Sequence, residues 1–125
     1  MAIRLRYVAF LLIFFALMIL MGSLPCQADT LSAQFGDKPL HLMAYICFSV
    51  LCYRAWIAPR RQRILLTIVM IALLGLIDEG IQATLPYRNA SVVDWCVDLL
   101  AALITVSGFS LQESLYSTQN PHAKN

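Results

Sequence analysis

The sequence predicts an all-α integral membrane protein, a bundle of four transmembrane helices forming one domain over residues 1–125. Three observations carry this prediction. The chain is 60% AVILMFWYC and only 13% charged, with a mean hydropathy of +0.72, whereas soluble domains run at about 25% charged. Its apolar residues fall into four segments, each near the roughly 20 residues that a helix needs to cross the hydrocarbon core. Its cations gather between those segments with the asymmetry that sets membrane orientation. A soluble enzyme and a disordered chain are both excluded by this composition. The net charge of +2 is too small a surplus to imply nucleic-acid binding.

The first helix is expected over about 7–25, because Tyr7 to Leu24 is an 18-residue run without a charge. A rival reading makes residues 1–28 a cleaved leader ending at Cys26-Gln27-Ala28. The run exceeds the usual apolar leader core of about 7–15 residues, so the helix is expected to be retained. The second helix is expected over about 39–57, interrupted before Arg54 only by His41 among readily charged side chains. The third, about 64–85, is free of charge for 14 residues up to Ile77 and then carries Asp78 and Glu79. The fourth, about 92–112, carries Asp94 and Asp98 in its first two turns. Pro25, Pro59 and Pro86 separate the helices, since proline lacks the N–H and clashes with the preceding turn. The tail from Ser117 to Asn125 is polar and expected to fray. Cys26, Cys47, Cys52 and Cys96 have no C-x-x-C spacing and are read as small apolar residues. Pairing of Cys26 with Cys96 is left open.

Seven of the nine cations, Arg4, Arg6, Arg54, Arg60, Arg61, Arg63 and Lys124, fall on one side of this plan, against Lys38 and Arg88 on the other. The positive-inside rule then places both termini in the cytoplasm of a bacterium, with the chain in its inner membrane. Six of the seven acids, all but Glu113, lie at or near the outer side. An ionised side chain in hydrocarbon costs about 2.5–3.5 kcal/mol on insertion scales, so these groups are expected to face the bundle interior and to be functional. Asp37, His41 and Tyr45 share a stripe of helix 2 at i, i+4, i+8, as do Glu79 and Gln82, Asp78 and Gln82, and Asp94 and Asp98 on their helices. Structural readings compete at each position. Asp37 is a good helix cap, Ser91 and Asp94 have the spacing of a capping box, Tyr45 suits packing, and Arg88 could clamp Asp78, Glu79 or Asp94. No H-E-x-x-H or H-x-x-x-H helix is present, so neither a metal nor another cofactor is expected.

Asp37-Lys38-Pro39-Leu40-His41-Leu42-Met43-Ala44-Tyr45 resembles the D-K-x-x-H-x-x-x-Y signature of VanZ-like membrane proteins. Asp78-Glu79-Gly80-Ile81-Gln82, followed by Pro86-Tyr87-Arg88 and Ser91-Val92-Val93-Asp94, is similar to that family's D-E-x-x-Q…P-x-R-x-x-S-x-x-D pattern. Order, spacing and the four-helix plan agree over about residues 7–110. The family usually continues with an asparagine and then small glycines; here those positions hold Asp98, Ala101 and Thr105. The family's namesake is associated with glycopeptide (teicoplanin) resistance, so the resemblance implies a place in the cell envelope more than a reaction.

The expected function is therefore that of a multi-pass inner-membrane protein of the VanZ-like type. Its polar site at the outer leaflet is expected to bind a lipid-linked or amphiphilic envelope molecule, with modification of that molecule an open further step and enzyme status undecided. His41 and Glu79 are the candidate acid and base. Asp37, Lys38, Tyr45, Gln82, Arg88 and Asp94 are the candidate binding residues. His41, Glu79 and Arg88 are expected within hydrogen-bonding reach of one another, directly or through one water. The expected partners are the bilayer and a lipid-linked substrate, with no nucleic acid and no identifiable partner protein. The alternative is a small non-catalytic membrane subunit whose polar layer specifies helix packing or a partner; a proton-coupled transporter ranks lowest.

Overall fold

The computed structural model describes residues 2–24 and 36–119. Cys26, the Cys26-Gln27-Ala28 motif, Asp29 and the polar tail past residue 119 lie outside the described residues. Four helices account for most of the rest: α1 (Leu5–Gly22), α2 (Asp37–Ala55), α3 (Arg60–Gln82) and α4 (Val92–Gln119). Two strands of two residues each, β1 (Ala2–Ile3) and β2 (Trp56–Ile57), pair antiparallel with Ala2 opposite Ile57.

The helix ends depart from the sequence expectation for local reasons. α2 begins two residues early because Pro39 falls in its first turn, where a missing N–H breaks no helical bond. Asp37 is not its cap; that position is Gly36, at φ 79°, and Asp37 instead places a negative charge on the positive end of the helix. α3 starts at Arg60 rather than 64, since extended Pro59 is its cap and the following arginines are good helix formers. α4 continues seven residues past 112. Glu113 holds that extension to the bundle by accepting from Arg63 at 2.8 Å and Tyr53 at 3.1 Å.

The chain crosses the bundle from one end to the other in each helix. At the first end β1 lies beside β2, and Arg4 N–H donates to the Ala55 carbonyl at 2.8 Å. At the second end Tyr87 O–H donates to the Ser23 carbonyl and Arg88 reaches Asp37 at 3.3 Å. α1 and α2 are thus antiparallel over the same length. α2 is the central helix and packs against all three others. Phe48 is fully buried in it, with the rings of Phe14, Phe15 and Tyr45 at 4.7, 5.7 and 5.2 Å. Buried Ala101 and Ala102 let α4 approach α2 closely.

The surface is the inverse of a soluble protein's. His41, Ser49, Thr67, Asp78, Glu79, Gln82, Asp94, Asp98 and Thr105 are buried, while Leu12, Leu65, Leu73, Leu76, Leu100 and Leu103 are each at least half exposed. Three helices, α1, α3 and α4, are long and apolar enough to cross a membrane. α2 does not reach the same hydropathy, because Asp37, Lys38 and Arg54 mark its ends and its inward face carries His41, Tyr45 and Ser49.

Candidate functional site

The polar groups collect at the second end, where the first turns of α2 and α4 meet the last turns of α3. Helical spacing brings them in as pairs. His41 and Tyr45, one turn apart, project from α2 with parallel rings 6.0 Å apart. Each ends on a carboxylate of a different helix. His41 Nδ1 lies 3.1 Å from Asp98 Oδ1 on α4, and Tyr45 O–H donates to Asp78 Oδ2 on α3 at 3.3 Å. With an ionised carboxylate as acceptor, the imidazole donates from Nδ1 and keeps Nε2 as its second nitrogen. Tyr45 and Asp98 are wholly inaccessible to solvent, so this α4–α2–α3 chain of contacts is the floor of the polar layer.

The rim is built around Arg88, in the turn between α3 and α4. Its guanidinium donates to Gln82 Oε1 at 2.9 Å and to Asp37 Oδ1 at 3.3 Å. Thus it closes α3 onto the start of α2. Lys38 is exposed and its ammonium stands 3.8 Å from buried Asp94.

The start of α4 shows why Asp94 is available. In a capping box the first-turn acid would accept from the cap residue's own N–H. Ser91 Oγ does accept from Asp94 N–H, at 3.3 Å, but the Ser91 N–H donates instead to Glu79 Oε2 of α3, at 2.6 Å. Glu79 therefore completes the cap from a neighbouring helix, and the Asp94 carboxylate turns into the bundle.

Next to this layer lies a cavity of about 330 Å³. One wall is apolar, made of Phe14, Leu17, Met18 and Met21 of α1; the other carries Asp37, His41, Asp78, Gln82 and Arg88. The apolar wall escaped the sequence reading, because nothing in α1 distinguishes its cavity side from its lipid side. Asp98, which the sequence places in the polar layer on one stripe with Asp94 but not among the candidate binding residues, holds the candidate histidine.

The sequence-derived set is thus divided. Asp37, His41, Gln82 and Arg88 meet at the cavity, and Tyr45 touches it through Asp78. Glu79 does not share hydrogen bonds with His41 or Arg88 among the described residues; its carboxylate is engaged at the α4 cap. The competing use of Arg88, a clamp on Asp78, Glu79 or Asp94, gives way to contacts with Asp37 and Gln82. Asp37, His41 and Asp94 each offer one atom within 4.8 Å of the others, a spacing at which three such ligands could hold a metal ion. Arg88 and Lys38 already bring positive charge to the two acids of that trio. Cys47 and Cys96 are exposed free thiols and Cys52 is buried.

Comparison of the chain with family models, curated proteins and solved structures finds no match.

Proposed function

We propose that the protein binds an amphiphilic cell-envelope molecule in the cavity between α1 and the polar layer, as a VanZ-like protein of the bacterial inner membrane. The observation that carries this reading is the division of one cavity of about 330 Å³ into an apolar wall from α1 and a polar wall from α2, α3 and the Arg88 turn. An acyl or isoprenoid chain suits the first wall. A head group with hydroxyl or amine donors for Asp37 and Asp78, and an acceptor for Arg88, suits the second. A lipid-linked glycan has that chemistry. The His41–Asp98 pair at the wall is also the arrangement that proton transfer would use, so modification of the guest belongs to the same proposal.

The four-span topology is part of it. α2 starts beside Arg88 and ends beside β1, so it covers the same thickness as α1. If α1 crosses the bilayer, α2 crosses it in return, with its polar stripe shielded by the other helices.

Binding is tested on the purified chain in mild detergent by offering a membrane lipid extract and reading retained species by mass spectrometry. Ala44 lines the cavity, so Ala44→Trp should fill it and abolish retention of a specific lipid, while Arg88→Gln should weaken it. A lipid retained equally by both variants would sink the proposal.

A second reading, a non-catalytic subunit, is favoured by the internal pairing of Arg88, Tyr45 and Glu79. Alanine at His41 separates the two readings. Under the first, protein level holds and the envelope phenotype is lost; under the second, the protein itself disappears.

A further inference from the structure

The opposite end of the bundle holds a second cavity, of about 480 Å³, with a different chemistry. Its walls include Arg4, Arg54 and Arg63, the aromatic rings of Tyr53 and Phe109, and a single acid, Glu113. The sequence makes the arginine run an orientation signal in contact with anionic lipid, in preference to a phosphate-binding site. The fold does more with them.

Arg4 is fixed by the β1–β2 ribbon, its N–H donating to the Ala55 carbonyl next to Arg54. Tyr53 and Phe109 stack with centroids 4.5 Å apart and planes within 3°. The Arg63 guanidinium lies 4.7 Å from the Tyr53 centroid and that of Arg54 5.1 Å from Phe109. Such cation–π contacts hold a guanidinium without neutralising it. Glu113 compensates Arg63 alone, at 2.8 Å, and the buried Arg63 Nε has no hydrogen-bond partner among the described residues. No carboxylate among the described residues pairs with Arg4 or Arg54. Three cations gathered around one anion repel one another in the absence of a further negative charge.

We propose that this cavity binds a phosphate group, and that its source is the head group of an anionic phospholipid. Guanidinium forks match phosphate oxygens in pairs. Basic pockets between membrane helices on the cytoplasmic side are where such head groups bind. The lipid is favoured over free phosphate because Leu5, beside Arg4, and Tyr116, in the wall, are exposed at 78% and 62%, offering an apolar rim to acyl chains.

The test uses the full chain, stripped of lipid in a non-ionic detergent. It is titrated with phosphatidylglycerol, with phosphatidylcholine of the same acyl chains, and with inorganic phosphate as competitor, and bound lipid is counted by native mass spectrometry. Phosphatidylglycerol should bind more tightly than phosphatidylcholine and be displaced by phosphate. Arg4→Gln and Arg54→Gln, which leave the Arg63–Glu113 pair intact, should each lower its affinity about fivefold. Glu113→Gln removes the one acid and should raise affinity, a gain that damage to the fold would not produce. Equal affinity for the two lipids, or no loss in the Arg4→Gln, Arg54→Gln double variant, would overturn the site. Free phosphate binding as tightly as phosphatidylglycerol would overturn the lipid assignment and leave a phosphate site.

Discussion

The absence of a side chain at residue 75 sets how closely α3 and α4 approach. A Cβ built on Gly75 would stand 2.8 Å from Asp98 Oδ2 and 2.9 Å from Trp95 Cδ1. Both neighbours are held: Trp95 donates from its indole to the Ala72 carbonyl at 3.1 Å, and Asp98 is bonded to His41. Neither can retreat cheaply, so Gly75→Ala should destabilise the bundle by about 1–3 kcal/mol through overpacking. Gly80 lies on the same helix with nothing within 4 Å, and Gly80→Ala should be neutral or stabilise by up to about 1 kcal/mol. Melting temperatures of the two variants in one detergent give the comparison; equal shifts would contradict the close-approach argument. Asp98 itself tests what the polar floor needs. Asp98→Asn keeps an acceptor for His41 and should preserve folding, whereas Asp98→Leu leaves the buried imidazole unpaired, at a cost of about 1–3 kcal/mol. Unfolding by denaturant should rank the wild type and Asn variant together and the Leu variant well below.

The elements differ in how much of their position is written locally. The existence of all four helices was legible, because an uninterrupted apolar run has few other uses and proline separates one run from the next. The stripe Asp37, His41, Tyr45 was legible too, since helical spacing decides which residues share a face. Partners across helices were not. Whether Arg88 meets Asp78 or Asp37 depends on the rotation of two helices, and the sequence contains no residue that states it. The β1–β2 ribbon is two residues long and forms only because two helix ends meet there, so no period of alternation announces it. The start of α4 illustrates the same dependence and yields a prediction. Its cap is completed by Glu79 of α3, so α4 owes part of its first turn to a neighbour. Glu79→Ala should speed amide exchange at Ser91, Asp94 and Trp95 while exchange at Ala101 and Ala102, deep in the core, stays slow. Ser91→Ala should fray the same turn and cost about 1 kcal/mol. Uniform acceleration along α4 in the Glu79 variant would mean that the contact supports the whole bundle and is not a cap.

At the scale of the whole molecule the two ends carry opposite chemistry, and this fixes how it should sit in a bilayer. One end gathers Arg4, Arg54, Arg60, Arg61 and Arg63 around the β ribbon; the other gathers Asp37, Asp78, Glu79, Asp94 and Asp98 beneath Arg88. Basic residues flanking spans resist translocation, whereas acids contribute little to orientation, so the arginine end should face the cytoplasm. Gln62, in the first turn of α3, and Asn89, beyond its last turn, make the decisive pair of positions. A reporter fused at Gln62 should read cytoplasmic, and reporters at Asn89 and at Gln34, which lies outside the described residues, extracytoplasmic. Opposite readings establish that α3 crosses. Because β1 pairs with β2, a reporter joined ahead of residue 2 should agree with Gln62, which can happen only if α1 and α2 cross together or not at all. Replacing Arg60 and Arg61 with Gln while adding two lysines at Asn89 should produce a mixture of orientations if charge sets the topology. A cytoplasmic reading at Asn89 in the unaltered chain would invert the bundle, bring the acid-rich cavity to the inner leaflet, and remove the case for an outer-leaflet guest.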